Sequence, residues 1–302
     1  MVARSPQDNE HQMINSPFKW VGGKSRLRKH IINLLPQHTC YVELFAGAAW
    51  VLFGKQPSNV EVLNDIDQDL VNFFRVVKEK PGELIASFEW ELVSRAEFER
   101  LASLDPTQLT DVQRAHRFYY LIMASWGGEF HYPRFQTSIN DGGHGNRLFG
   151  ALQTLHKRIM PVYERLRTVI IENLDWQACV DRYDRPGTVM YIDPPYPENG
   201  CNYVYNMRDR SDHEKLADRL NHAQCKWLLS SYDTPFIREL FAEHHIIQVQ
   251  SSSGMNTEKN GNTRVVNKEV LIMNYAHPNG ANIPPAQSIQ QNILLDVQAE
   301  AE

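Results

Sequence analysis

Apolar and polar residues alternate along this chain in two rhythms. Short apolar runs such as "CYVELF", "NVEVLN", "TVIIEN", "GTVMYI", "CKWLLSSY", "HIIQVQ" and "KEVLIMNY" have the length and residue types of strands. Among them lie amphipathic stretches of helical period, including "QDLVNFFRVVKEK", "DHEKLADRLNH" and "TPFIRELFAEH". This alternation predicts an α/β fold. Over positions 40–67, a strand, a tight turn, a helix, a second strand and an acidic residue form the first half of a Rossmann-like unit. Between about Pro81 and Pro161 the rhythm changes. "PGELIASFEWELVSRAEFERLASL" and "TDVQRAHRFYYLIMASW" are helical in period, while "GGEFHYPRFQTSINDGGHGNRLFG" has no clear one. A helical insert over residues 77–160 is therefore expected inside a domain made of residues 14–76 and 161–277. Residues 1–13 are expected to be a disordered leader, and residues 278–302 a mobile tail.

Composition changes this picture little. With 42% hydrophobic and 22% charged residues over 302 positions, the chain is an ordinary globular protein. No run of eighteen apolar residues occurs and the N-terminus lacks a signal-peptide core, so no membrane association is expected. Cys40, Cys179, Cys201 and Cys225 form no CxxC pair and read as reduced, which suits the cytoplasm. Twelve histidines include no HExxH spacing, and no metal is expected. A net charge of −5 argues mildly against a constitutive nucleic-acid coat protein, yet basic clusters exist locally. They are "KSRLRKH" at 24–30, "QRAHRF" at 113–118, "LHKRI" at 155–159, and a late loop with Lys259, Arg264 and Lys268. Any one alone is more simply a solvated surface.

The turn "ELFAGAAW" carries the first chemical signal. Glu43 stands near the strand end, and Phe45 and Gly47 follow in the turn, where glycine lets a ligand approach the backbone beside a helix N-terminus. Asp65 lies about twenty residues after Gly47, the spacing expected of an acid that accepts from ribose hydroxyls. Taken alone it is equally a cap for "QDLVNFF". Neither GxGxxG nor GxxxxGK[ST] is present, and "VGGKSR" lacks the earlier glycine and a preceding strand. No pyrophosphate or triphosphate is provided for. The pattern calls for an adenosine-like cofactor without a phosphate chain, which S-adenosylmethionine fits, with Lys24 able to meet its carboxylate.

The second signal is "TVMYIDPPYPENG". Pro194 and Pro195 remove two backbone donors and stop a buried strand between Asp193 and Tyr196, at the carboxyl end of the strands where open α/β sheets bind ligands. An exocyclic amino group on a base is a poor nucleophile because its lone pair is delocalised into the ring. Asp193 and the Pro194 carbonyl, accepting from its two N–H groups, would draw the nitrogen toward tetrahedral geometry and offset the developing positive charge. Tyr196 supplies a flat face for a base swung out of its stack. The bland reading is a Pro-Pro turn with Asp193 as a cap.

"PFKWVGGKSRL", "YVELFAGAAW", "VLNDID" and "YIDPPY", in that order, resemble the Dam-like (alpha-group) DNA adenine N(6)-methyltransferases. The resemblance covers roughly Pro17 to Tyr275 and is strongest at these motifs. It implies a Rossmann-like S-adenosylmethionine-dependent sheet with an inserted target-recognition domain at residues 77–160. It further implies that Trp20, Lys24, Asp65 and Asp193 line the cofactor site and that Asp175 meets the cofactor's adenine amino group. "LLSSYDT" would close the catalytic sheet, and "SSSGMNTEKNGNTR" would be a DNA-contacting hairpin carrying Lys259 and Arg264. Arg134 in the insert is the expected sequence-reading residue. One departure stands out: the usual FxGxG turn has Ala49 in place of its second glycine, with bulky Trp50 after it.

The expected activity is site-specific methylation of adenine in double-stranded DNA by a cytoplasmic, nucleoid-associated enzyme. A companion restriction endonuclease is an open partner. Rival readings are cytosine 4-amino methylation, RNA adenine methylation, and a catalytically dead DNA-binding module. Serine commonly replaces Asp193 in the first, and the intact Asp193, Tyr196, Lys24 and Asp65 argue against the last.

Overall fold

A computed structural model describes residues 13–135, 147–197, 207, 209–257 and 264–278. The seven apolar runs pair into one sheet made of β1 (Cys40–Glu43), β2 (Val60–Asn64), β3 (Ile170–Glu172), β4 (Thr188–Ile192), β5 (Lys226–Tyr232), β6 (His245–Thr257) and β7 (Arg264–Met273). Their order is β3-β2-β1-β4-β5-β7-β6. The first five strands run parallel, and β7 is antiparallel to both its neighbours. From β1 the chain winds outward through β2 to β3, then returns to place β4 on the other side of β1. That reversal is a topological switch point, and a crevice opens outside the carboxyl ends of two such strands.

Every residue of β4 is buried, as a parallel strand covered on both faces requires. Strand geometry sends alternate side chains to opposite faces. Tyr41, Leu63, Tyr191, Leu228 and Leu271 enter one core, while Val42, Val62, Met190, Trp227 and Ile272 enter the other. The first core is closed by α1 (Arg28–Leu34), α2 (Trp50–Gly54), α3 (Gln68–Glu79), α4 (Pro81–Ala86), α5 (Arg95–Ser103), α6 (Asp111–Ala124), α7 (Arg147–Gln153) and α8 (Leu155–Leu166). The second is closed by α9 (Trp176–Tyr183), α10 (Arg210–Asn221) and α11 (Pro235–Leu240). No helix of the described residues is long and apolar enough to cross a membrane.

Two expectations shift. The cap of α3 is Asp67, whose side chain accepts from the amides of Asp69 and Leu70, so Asp65 is not spent on that role. Both expected edges of the insert fall inside helices: position 77 lies in α3, and position 160 in α8, which runs on through Pro161. Proline removes one backbone bond there, but Ile159, Val162 and Leu166 of the same helix are wholly buried and hold it. Insert and sheet also share a core. Phe73 of α3 stacks on Tyr119 of α6 at 5.7 Å, and Phe18 meets Phe118 edge-on at 5.3 Å. The expected leader and tail lie outside the described residues, apart from Met13 and Pro278.

Candidate active site

Outside the carboxyl ends of β1 and β4 lies a cavity of about 350 Å³. Its walls bring together Trp20, Lys24, Glu43, Phe45, Gly47, Asp65, Asp175, Asp193, Pro194, Pro195 and Tyr196, all the cofactor-site and catalytic residues expected from sequence. The DNA-binding candidates are elsewhere. Arg134 is exposed, Arg264 opens β7, and Lys259 lies outside the described residues.

The turn after β1 forms the floor. Gly47 has φ +46°, and a Cβ there would stand 2.9 Å from the Trp20 ring, so both backbone shape and crowding require glycine. Ala49 is also left-handed, at φ +53°, where the family's second glycine would sit. It offers no cap to α2, and Glu43 supplies one instead. Glu43 Oε2 accepts from the Leu52 amide at 2.8 Å and from the Tyr41 hydroxyl at 3.1 Å. Burial pushes its carboxyl up to about 8 in spite of these two bonds. Glu43 therefore supports the turn from beneath and is only 2% exposed.

Asp65 faces the same cavity. Its two oxygens accept from the amides of Asp67 at 3.0 Å and Gly47 at 2.9 Å, and burial raises it to about 6 against that pull. Asn64 ties strand ends together, donating to the Leu44 and Leu174 carbonyls and accepting from the Leu174 amide. Asp175 caps α9 through the Ala178 amide at 3.0 Å.

Lys24, expected to meet a ligand carboxylate, is engaged within the protein. Its Nζ donates to the Gly22 carbonyl at 2.9 Å and stands 3.0 Å from Asp193 Oδ1 and 3.7 Å from Glu269 Oε2. Burial pulls its pKa down, and the two carboxylates outweigh that and leave it above the ordinary value. Asp193 Oδ1 also accepts from the Ser230 hydroxyl at 2.7 Å. Burial raises the Asp193 carboxyl above its ordinary value, with Lys24 and Ser230 opposing. Among the described residues its Oδ2 has no partner, and the side chain stays 17% exposed. Tyr196 is less open than expected of a stacking face. It is 6% exposed, donates to Glu269 Oε2 at 2.9 Å, and meets Tyr232 edge-on at 4.5 Å.

Ser230, Tyr232, Glu269 and His131 are among the residues that join the site without having been expected there. Glu269 carried a signal, since an acid inside the apolar run "KEVLIM" needs a reason. His131 carried none. It comes from the aperiodic part of the insert, pairs with Asp67 at 2.8 Å and meets Trp20 edge-on at 6.4 Å.

The lining decides which ligand fits. Among the described residues it holds four carboxylates, Asp65, Asp67, Asp175 and Asp193, beside the Glu43 carboxyl that burial keeps neutral, against one lysine and no arginine. Such a cavity repels a polyphosphate and favours a cation. S-adenosylmethionine carries a sulfonium and an ammonium, and its adenosine presents hydroxyls and a ring suited to Asp65 and Trp20. The residues present fit it.

The family of D12 class N6 adenine-specific DNA methyltransferases matches residues 20–255. The chain is 28% identical over 303 residues to a DNA adenine methylase of Haemophilus influenzae, covering 90% of this chain and 98% of that one. It is 26% identical over 278 residues to that of Escherichia coli K12, covering 85% and 94%. To the type II methyltransferase M.CviBI of Paramecium bursaria Chlorella virus NC1A it is 28% identical over 233 residues, covering 74% and 85%. Superposition on a solved precorrin 8w decarboxylase from Methanobacterium thermoautotrophicum gives a TM-score of 0.40 at 8% identity over 88% of this chain and 100% of that one, too loose to bear on function. The family match spans the glycine turn, the insert and the Pro-Pro stop, and the chain belongs to the D12 class of N6 adenine-specific DNA methyltransferases, which methylate adenine in DNA with S-adenosylmethionine.

Proposed function

We propose that this chain methylates the adenine 6-amino group within a specific sequence of double-stranded DNA, and that Asp193 with the Pro194 carbonyl activates the amine. The observation that carries this is the half-committed carboxylate of Asp193. Oδ1 is fixed by Ser230 and Lys24, which orients the group, while Oδ2 has no partner among the described residues. An acceptor held rigid before the reaction needs no reorganisation during it. S-adenosylmethionine, when bound, supplies an electrophilic methyl group, and Trp20, Asp65 and Asp175 are the residues that would hold it. Asp193 and Pro194 accept from the two amino hydrogens and stabilise positive charge as it grows on the nitrogen. An adenine must leave the duplex to reach them, and the ring of Tyr196 supports it there.

In this reading the insert selects the sequence through exposed residues such as Arg134, and the β6–β7 hairpin with Lys259 and Arg264 holds phosphates. The enzyme is cytoplasmic and associated with the nucleoid. A companion restriction endonuclease is a second, finer reading, favoured by the type II name of the viral relative.

Transfer of tritium from labelled S-adenosylmethionine to duplex DNA, single-stranded DNA and RNA tests the proposal. Label is expected in duplex DNA, recovered as N6-methyladenine. Asp193→Asn keeps the shape and should lower turnover about 100–1000-fold, the scale for losing one preorganised electrostatic partner. Label in cytosine, or preferential labelling of RNA, would overturn it.

A further inference from the structure

We propose that Glu269 is a positioning residue for methyl transfer, acting by charge: it restores at the reaction centre the negative charge that Lys24 alone would cancel. This rests on the role of Asp193 argued above.

Glu269 lies on β7 opposite Tyr232 of β5, inside the sheet, and is 6% exposed. A carboxylate so placed is unfavourable unless it is paired. Two of its partners belong to the reaction centre. Oε2 accepts from the Tyr196 hydroxyl at 2.9 Å and lies 3.7 Å from Lys24 Nζ, which in turn lies 3.0 Å from Asp193. Among the described residues the centre thus holds two carboxylates and one ammonium.

Each member is needed for the sum. Without the ammonium between them, the two carboxylates would only repel each other. Asp193 paired with Lys24 alone is a neutral couple whose field on a nearby nitrogen largely cancels. With Glu269 added, the three carry a net charge of about −1 in a poorly solvated cleft, where Coulomb interactions are strong. That sign suits a step in which positive charge grows on the target nitrogen.

The titratable groups that act on Asp193 from its surroundings are Lys24, Glu269, Tyr191, Tyr196 and Glu43. Burial holds both tyrosines well above their ordinary range and Glu43 near 8, so none of these three ionises on the acid side of neutrality. Repulsion from Glu269 raises Asp193. Removing that charge should move the acid limb of turnover to lower pH.

The test uses the full chain, tritiated S-adenosylmethionine and sheared unmethylated genomic DNA. Glu269→Gln preserves shape and an acceptor for Tyr196 while removing the charge. Turnover should fall about 10–100-fold, below the effect of a group touching the reacting atoms. KM for cofactor and DNA should stay within about threefold, and the acid limb should shift down. Tyr196→Phe breaks the hydrogen bond and keeps all three charges, so it should lose less than Glu269→Gln. A Glu269→Gln enzyme within about twofold of wild-type turnover would overturn the proposal. So would an unmoved acid limb, an equal loss in Tyr196→Phe, or a collapse of cofactor binding and melting temperature in Glu269→Gln. Asp193→Asn run in parallel separates the two readings. If it keeps full turnover, the role of Asp193 fails; if it alone loses turnover, only the charge balance fails.

Discussion

Two buried ion clusters stand at opposite ends of the sheet and are built on opposite rules. At the amino end, two cations surround one carboxylate. Glu61 Oε1 accepts from Lys55 Nζ at 2.7 Å, Arg165 Nη2 at 2.8 Å and the Ser58 amide at 3.1 Å, and Oε2 accepts from Arg165 Nη1. Lys55 donates again to Gln56 and Ser58, and Arg165 to the Leu52 carbonyl. Burial pushes the Glu61 carboxyl up, but Arg165 and Lys55 win and hold it below its ordinary value. At the carboxyl end, two carboxylates share one cation among the described residues, and Asp193 stays above its ordinary value with one oxygen unpaired there. A carboxylate whose acceptor sites are all filled can only hold structure. One with an oxygen to spare can act on a substrate.

The largest effect that would break this contrast is at Arg165, which ties the end of α8 to β2. Arg165→Ala leaves Glu61 buried with its main partner gone, a loss of about 3–5 kcal/mol for a broken buried pair. Urea unfolding should show it, while turnover per folded molecule stays near wild type. Asp193→Asn should do the reverse, with a smaller change in unfolding free energy and a large loss of turnover. Equal stability of Arg165→Ala and wild type would remove the distinction between the two ends.

Next in size is Glu43, whose carboxyl moves from an ordinary 4.5 to about 8 in the fold. Between those values the folded chain binds more protons than the unfolded chain. Unfolding free energy therefore falls as pH rises through that window, by about 1.4 kcal/mol per pH unit from this group. Glu43→Gln keeps an acceptor for the Leu52 amide and removes the titration. It should be more stable than wild type by about 1–3 kcal/mol at pH 7, allowing for the extra amide donors it buries. The gap should close toward pH 4. Unfolding curves at pH 5, 6, 7 and 8 check this, and a gap that does not widen with pH would sink it.

These effects also mark what was legible in the chain itself. The strands were, because buried parallel strands must be continuous apolar runs and Pro194-Pro195 must end one. The cleft-lining residues on βα turns were legible too, since glycine and acid at set spacing have few other uses. Ser230, Tyr232 and Glu269 were harder to see. Strand periodicity says which face a residue takes, but not which neighbour a later strand will bring beside it. His131 was illegible because a segment without period gives no register at all. Helix bounds were less legible near Pro161, because proline is read as a stop, while burial of one helix face carried α8 through it.

A smaller effect separates two acids that sequence alone confuses. Asp67 caps α3 and pairs with His131, whereas Asp65 accepts only backbone amides and faces the cleft. Asp67→Ala should lower stability by about 1 kcal/mol, the usual loss of a cap. Asp65→Ala should instead weaken S-adenosylmethionine binding by about 1–3 kcal/mol with the cap intact. Calorimetric titration and thermal melting of both variants would show whether the roles divide this way. Matching losses in both measurements would merge the two acids into one structural unit.

The smallest effect lies in the turn itself, between two left-handed residues two positions apart. Gly47 cannot accept a Cβ, because one would stand 2.9 Å from the Trp20 ring. Ala49 already has its methyl group, fully buried in the first core. Replacing it with the family's glycine relieves about 1–2 kcal/mol of left-handed strain. Against that, glycine adds about 0.5–1 kcal/mol of unfolded-state freedom, and the lost methyl removes about 0.8 kcal/mol of burial. These terms nearly cancel. Ala49→Gly should therefore melt within about 3 °C of wild type and bind S-adenosylmethionine within about threefold, while Gly47→Ala should lose both stability and cofactor affinity. If Ala49→Gly instead tightened cofactor binding tenfold, the alanine would be holding the turn out of its best shape, and the left-handed methyl would have a functional meaning that its packing does not give it.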